Sequence, residues 1–256
     1  MPSVPTDPAH ELAHDPAHEL AVIELRQYTL RPGRRDDLVE LFDRELVETQ
    51  EETGMTVLGQ FRDLDDPDRF VWLRGFPGMA ARHAALTAFY GGPVWKRHGP
   101  QANATMRDSD DVLLLRPLTH DGSFRAAPST RPRPGTPAPE RFVSATLWSF
   151  PPGRNEGITL VRDGLLPLLR STGAVPLAAF ATETAPNTFP RLPVRTGENV
   201  AVVLTSHPDE SAHLRHLTAL HAHPVARDEV LPGIERERTS APVTLRLAPT
   251  GRSLMT

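Results

Sequence analysis

Polar and apolar residues alternate along Val22–Leu30, placing Glu24, Arg26 and Tyr28 on one side of a strand and Ile23 and Leu25 on the other. Pro32-Gly33 ends that segment. From Arg34 to Thr53 the period lengthens: Leu38, Leu41, Phe42 and Leu46 share one helical face, and Gly54 supplies a C-cap. Met55–Leu64 and Arg69–Phe76 read as strands joined by the turn Asp65-Asp66-Pro67-Asp68. A helix over Gly78–Tyr90 stops at Gly91-Gly92-Pro93, and a short segment, Val94–Ala104, leads to a last strand, Asp111–Pro117. The order is βαββαβ, the ferredoxin-like unit of an α+β protein.

The same order then recurs. Strand Phe142–Phe150, helix Glu156–Thr172, strands Val175–Glu183 and Asn199–Ser206, helix Asp209–His221 and strand Val243–Leu247 form a second unit, with Pro167 expected to kink its first helix. The recurrence is partly literal. Leu86-Thr87-Ala88-Phe89-Tyr90-Gly91-Gly92-Pro93-Val94 returns as Leu217-Thr218-Ala219-Leu220-His221-Ala222-His223-Pro224-Val225, and Pro32-Gly33-Arg34 as Pro152-Gly153-Arg154. Two antiparallel units of this kind in one chain are expected to pack on each other. The expected division is a frayed tail over 1–21, a first unit over 22–118, a linker over 119–140, a second unit over 141–248 and a tail over 249–256. Five prolines between Pro128 and Pro139 make the linker extended and semi-rigid. The Pro-rich loop Thr184–Glu198 is long enough for a lid or an irregular insert.

Composition narrows the function. The 256 residues carry a net charge of -4 and no basic cluster, against a nucleic-acid surface, and no cysteine, which removes thiol chemistry. No apolar run reaches membrane-span length and the N-terminus lacks a signal-peptide core, so a cytoplasmic protein without membrane contact is expected. His10, His14 and His18 are spaced by four, but Pro16 interrupts the helix that would align them. His213, His216, His221 and His223 lack a carboxylate partner in register. No metal and no cofactor is expected. A nucleotide-binding Gly-rich loop and a nucleophile elbow are both missing.

The run Ile23-Glu24-Leu25-Arg26-Gln27-Tyr28-Thr29-Leu30-Arg31-Pro32-Gly33, with Gly59, Phe70–Leu73, Ala80-Ala81-Arg82 and Pro93-Val94-Trp95, resembles the NIPSNAP family. The resemblance covers most of residues 22–117, and the second half looks like a degenerate copy. It implies a dimeric α/β barrel, with both facing sheets drawn here from one chain and with homo-oligomers within reach. The wider superfamily includes cofactor-independent monooxygenases, isomerases and cyclases, among which fold does not choose.

Strand parity suggests that Glu24, Arg26 and Tyr28, with Trp72 and Arg74 from the third strand, face the barrel interior while helices cover Ile23 and Leu25. Such a lining would suit a small, partly apolar molecule. The same residues could equally form an internal ion pair that satisfies buried charge. Tyr90 and Trp95 extend the substrate-binding set at the expected barrel mouth, and His98 is the candidate proton carrier beside Arg26 and Arg74 as oxyanion stabilisers. Opposite Glu24, Arg26 and Tyr28 the second half has Ser144, Thr146 and Trp148; opposite Trp72 and Arg74 it has Val203 and Thr205. The equipment thus points to one asymmetric site in the first half. Two functions stay open: a cofactor-independent enzyme, or a non-catalytic binding or adaptor protein with a filled barrel.

Overall fold

The computed structural model describes residues 19–118, 124–125 and 131–256. The spaced histidines of the N-terminal repeat and much of the linker lie outside the described residues. In chain order the strands are β1 (Glu19–Leu20), β2 (Val22–Leu30), β3 (Thr56–Asp63), β4 (Arg69–Phe76), β5 (Met106–Pro117), β6 (Phe124–Arg125), β7 (Phe142–Ser149), β8 (Val175–Thr182), β9 (Val200–His207) and β10 (Val243–Pro249). The helices are α1 (Arg35–Leu41), α2 (Val47–Glu51), α3 (Met79–Gly91), α4 (Pro93–Thr105), α5 (Glu156–Thr159), α6 (Glu210–Ala222) and α7 (Leu231–Glu237). Among the described residues no helix is long and apolar enough to cross a membrane.

Eight strands close a barrel in the order β10-β3-β4-β2-β5-β8-β9-β7, with β7 pairing back to β10. Each half contributes a ferredoxin-like sheet, β3-β4-β2-β5 and β8-β9-β7-β10, and each lends its last strand to the edge of the other. Closure leaves neither sheet with a free edge, so the two halves complete one another within a single chain. The short β1–β6 ribbon adds Leu20 and Phe124 to the interior, where Phe124 meets Phe180 at 5.4 Å. Glu19 and Leu20 are therefore paired strand rather than frayed tail.

The barrel interior reverses the expected orientation of β2. Ile23 and Leu25 join Leu58, Phe61, Val71, Leu73, Leu113, Val143, Leu204 and Leu247 in one cluster drawn from both sheets. Glu24, Arg26, Tyr28, Trp72 and Arg74 point the other way, to the layer between the sheet and α1–α4. The reason is the closed topology. A sheet whose two faces are both covered buries both sides of every strand, and the apolar side goes where eight strands converge and no polar partner can reach. Apolar side chains from both sheets occupy the barrel interior.

Three local readings also change. Val94–Ala104 lies within α4, begun by Pro93, which suits a first helical turn because its missing N–H needs no partner there. Residues 226–237, which carried no expected element, form a π turn and α7. The expected helix over Glu156–Thr172 is α5 followed by a π turn at Leu160–Leu165 and a 3-10 turn at Leu166–Leu168. Pro167 cannot supply the N–H that a regular helix requires, and the hydrogen-bond spacing changes around it.

Residues 131–140 of the linker are anchored to the first unit. Arg131 donates to Val57 O at 2.6 Å and pairs with Glu51 at 2.5 Å, while Arg252 of the C-terminal segment reaches Pro132 O at 2.8 Å and pairs with Glu48. A Cβ at Gly251 would overlap the carbonyl oxygen of Thr136. Gly251→Ala should therefore push the linker off this seat and lower Tm by several degrees, since backbone cannot yield as a side-chain tip can. An unchanged Tm in thermal unfolding would show that the linker seat contributes nothing to stability.

Candidate functional site

The first unit builds a buried knot of charge. On α3, Arg82, Ala85, Leu86 and Phe89 share the face turned to the sheet, so an arginine sits on an otherwise apolar stripe. On β2 and β4, Glu24 lies opposite Arg74 and Arg26 opposite Trp72. Glu24 Oε2 accepts from Arg26 Nη1 at 2.7 Å and Arg74 Nε at 2.8 Å, and Oε1 accepts from Arg82 Nε at 2.7 Å. All four side chains are at most 1% exposed. Burial alone would raise the Glu24 carboxyl pKa, but Arg74, Arg26 and Arg82 together hold it well below the usual carboxylate range. Burial likewise raises the pKa of the Tyr28 hydroxyl, which stays a neutral phenol and accepts from Arg26 Nε at 2.9 Å.

Aromatic rings wall this knot. Trp72 meets Tyr28 edge-on at 5.9 Å and Phe42 at 4.9 Å, and the Arg74 guanidinium lies 5.1 Å from the Trp72 ring and 5.9 Å from Tyr90. Tyr90 packs on Trp95 at 4.8 Å. Glu24, Arg26, Tyr28, Trp72, Arg74, Tyr90 and Trp95 are thus brought together. His98 is not: it faces Glu45 at 3.6 Å and shares no hydrogen bond or ion pair with Arg26, Arg74 or Glu24. Between the rings remains a void of about 20 Å³.

Three participants were not anticipated. Arg82 was legible as part of the family motif Ala80-Ala81-Arg82 but not as a partner of Glu24. Gln50 accepts from Arg74 Nη1 at 3.2 Å, and the loop 184–198 of the second unit folds over the first. Asn187 Oδ1 and Thr188 Oγ1 lie 2.9 and 3.3 Å from Arg82 Nη1, and Phe189 stacks on Tyr90 at 6.0 Å. Nothing local in that loop announces a partner on the other unit.

The second unit repeats the geometry with smaller side chains. Ser144 lies opposite Thr205 and Thr146 opposite Val203 on β7 and β9, the register positions of Glu24–Arg74 and Arg26–Trp72. The space that arginines and tryptophan fill in the first unit is here a cavity of about 220 Å³ between sheet and helices. Leu165, Leu169, Leu217, Leu220, Leu231 and Trp148 give it apolar walls. Ser144, Thr146, Thr205, Thr244 and three histidines give it polar points, and no Asp, Glu, Lys or Arg lines it. A wider groove of about 560 Å³ runs between α1 and linker residues 134–138, but it is shallow and rimmed by Asp36, Glu40, Arg44 and Arg62.

His213 and His216 of the lining, with His207 behind them, are disfavoured as cations by burial, and two lining histidines are oriented by backbone oxygens. Burial pushes His207 down to about 4, with help from His213 and His216, and lowers His213 and His216 as well. His216 Nδ1 lies 3.2 Å from Thr172 O and 3.1 Å from Thr172 Oγ1, whose own proton goes to Leu168 O at 2.9 Å. Nδ1 must then carry the hydrogen, which leaves Nε2 as a bare acceptor. His221 is set the same way by Leu217 O at 2.7 Å. Ser144, Thr205, His207 and His213 form a connected chain with steps of 2.8, 2.9 and 3.3 Å. Among the described residues no group of three or more His, Cys, Asp or Glu is arranged to hold a metal ion.

Residues 23–119 match the NIPSNAP family model. The first unit is a NIPSNAP domain. Beyond it, the whole barrel resembles an anthrone oxidase-like protein (TM-score 0.58, 12% identity, 91% of this chain and 93% of that one). It also resembles a putative monooxygenase from Lactobacillus acidophilus (TM-score 0.54, 11% identity, 90% and 94%) and one from Fusobacterium nucleatum (TM-score 0.52, 7% identity, 90% and 93%). These likenesses establish the α+β barrel fold across both units. No curated protein matches the chain in sequence. The match to the family ends at residue 119, so the cavity lies in the half that it does not cover.

Proposed function

We propose that the protein binds a small, neutral, partly apolar organic molecule, and that it does so in the second unit rather than in the NIPSNAP unit. The observation that carries this reading is the pairwise replacement at equivalent register positions. Glu24, Arg26, Trp72 and Arg74 fill their own layer, whereas Ser144, Thr146, Val203 and Thr205 leave about 220 Å³ beside histidines that burial disfavours as cations. A preformed apolar cavity with a few convergent polar groups is the usual form of a ligand site. Its volume equals roughly seven waters at about 30 Å³ each, room for a molecule of one or two rings. The absence of full charges from the lining favours a neutral ligand, because an ion would lose its hydration there without a counter-charge.

The catalytic form of this reading places the proton acceptor at His216 Nε2, in the second unit. The set of Arg26, Arg74 and His98 supports it less, since both arginines are committed to Glu24 and His98 stands apart with Glu45. A cofactor-independent monooxygenase, isomerase or cyclase would need such an acceptor beside its substrate. Binding is the part that the cavity itself supports.

Val203→Trp tests this by placing the NIPSNAP unit's own residue at the equivalent position. With indole as the probe, calorimetry should give a measurable Kd for the wild type and at least a tenfold loss for the variant. Its Tm should be unchanged or raised, because the ring fills space rather than displacing packed atoms. Equal binding by both proteins, or none by the wild type, would reject the second-unit site.

A further inference from the structure

The cavity of the second unit has an open side. Most of its lining is buried or half-buried, but His221, Pro242 and Thr244 are exposed and mark where it meets solvent. His221 and Pro242, with Trp148 and Leu231, also line a groove of about 480 Å³ on the outer surface. The mouth of the cavity therefore opens onto this groove. Apolar lining continues along it through Pro232, which is half-buried, and Ile234, which is buried, both on α7. The charged residues of the groove are already engaged: Arg238 donates to Glu235 at 2.6 Å, and Arg227 pairs with Asp228 at 2.7 Å.

The equivalent place in the NIPSNAP unit is covered. In the recurrence that relates the halves, Tyr90 corresponds to His221 and Tyr28 to Trp148. Tyr90 lies half-buried against Phe189, which the loop 184–198 between β8 and β9 carries there. The corresponding connection in the first unit, between β3 and β4, is only residues 64–68. That turn meets the second unit at Arg246, which pairs with Asp65 at 2.5 Å and whose carbonyl oxygen accepts from Leu64 N at 2.8 Å. A turn this short has no length left to project a cap. His221 stays exposed, and the mouth beside it stays open.

We propose that the groove holds the chain of a ligand whose ring occupies the cavity, so that the molecule is a neutral ring compound bearing an apolar chain. This rests on the reading of the second-unit cavity as a binding site and specifies what that site takes. The cavity has room for one or two rings, and a longer substituent must leave through the open side, past His221 and Pro242. There it lies on Leu231, Pro232 and Ile234 instead of in water. Each methylene so removed from water is worth about fourfold in affinity. A charged chain gains nothing comparable, because the groove's own charges are paired with each other or with a neighbour. The chain covers in the second unit the place that Phe189 covers in the first.

Calorimetry of the full chain with indole, 3-hexylindole and 5-hexylindole tests this. At least one hexyl isomer should bind the wild type tenfold or more tighter than indole. Pro232→Glu, which puts a charge in the groove and not in the cavity, should lose that gain while its Kd for indole stays within twofold. The change removes a proline from the helical turns over 226–237, so Tm should not fall. In the wild type, nuclear Overhauser contacts from the hexyl protons should reach Leu231 and Pro232, a readout that needs no variant. Equal affinity for indole and both hexyl isomers, or a gain that survives Pro232→Glu, overturns the inference and leaves the cavity reading standing. Hexyl contacts to Ser144 or Leu169 put the chain in the cavity and overturn it as well. No binding of indole by the wild type rejects the cavity reading, and this inference with it.

Discussion

Glu24→Gln is expected to destabilise the protein by about 3–5 kcal/mol, because it leaves three buried guanidinia with no carboxylate among them. Urea denaturation should show the loss as a lower midpoint at nearly constant slope. Arg74→Met should cost less. Glu24 then keeps Arg26 and Arg82, and the excess positive charge falls by one, while the methionine retains much of the arginine stem's packing. The asymmetry between the two variants distinguishes an over-balanced knot from a simple ion pair, in which removing either partner would cost about the same. A Glu24→Gln protein within 1 kcal/mol of wild type would mean that the carboxylate does not hold the arginines in place.

Acid should loosen the second unit before the first. His207 is pushed down to about 4, against an ordinary value near 6.5, and His213 and His216 are lowered in the same direction. The unfolded chain therefore binds more protons than the folded one between these values. The contribution of the cluster is fully present above about pH 6.5 and is lost as pH falls toward 4. For His207 alone this amounts to on the order of 3 kcal/mol. Glu210 of α6 and Arg246 of β10 also face His213, with opposite effects on its charge. Asp43, beside the linker, works the other way. Burial raises its pKa to about 6, so protonation there favours the folded state as pH falls from that value. Measuring Tm against pH in an Asp43→Asn background isolates the histidines. Imidazole resonances of His207 should titrate near pH 4, and amide protection on β9 and α6 should fall between pH 6.5 and 4 while that on β2 and β4 persists. Titration of His207 at its ordinary value would remove this explanation.

Much of the architecture was legible in one dimension because it rests on short-range physics. Alternation over Val22–Leu30, helical spacing through Leu38, Phe42 and Leu46, and the turn at Asp65-Asp66-Pro67-Asp68 specify their elements locally. The recurrence of Leu86–Val94 at Leu217–Val225 pointed to a doubled unit. The residues Glu24, Arg26, Tyr28, Trp72, Arg74, Tyr90 and Trp95 were also recognised as a group, and the fold assembles them. His98 was grouped with them as a proton carrier at the expected barrel mouth, and the helix it occupies carries it to Glu45 instead.

What the sequence by itself determined is the order of elements, the doubling and the identity of the NIPSNAP unit, since periodicity, turn chemistry and family motif are properties of neighbouring residues. Tertiary structure alone decided which face of each strand turns inward, because alternation gives two faces without saying which one the closed barrel will enclose. It also decided where space is left. In the NIPSNAP unit the rich side chains of β2, β4 and α3 consume their own layer, and in the second unit the plain ones leave a cavity. Side-chain chemistry can be read from a sequence, but unfilled volume is a difference between what surrounds a site and what occupies it, and it exists only once both are placed.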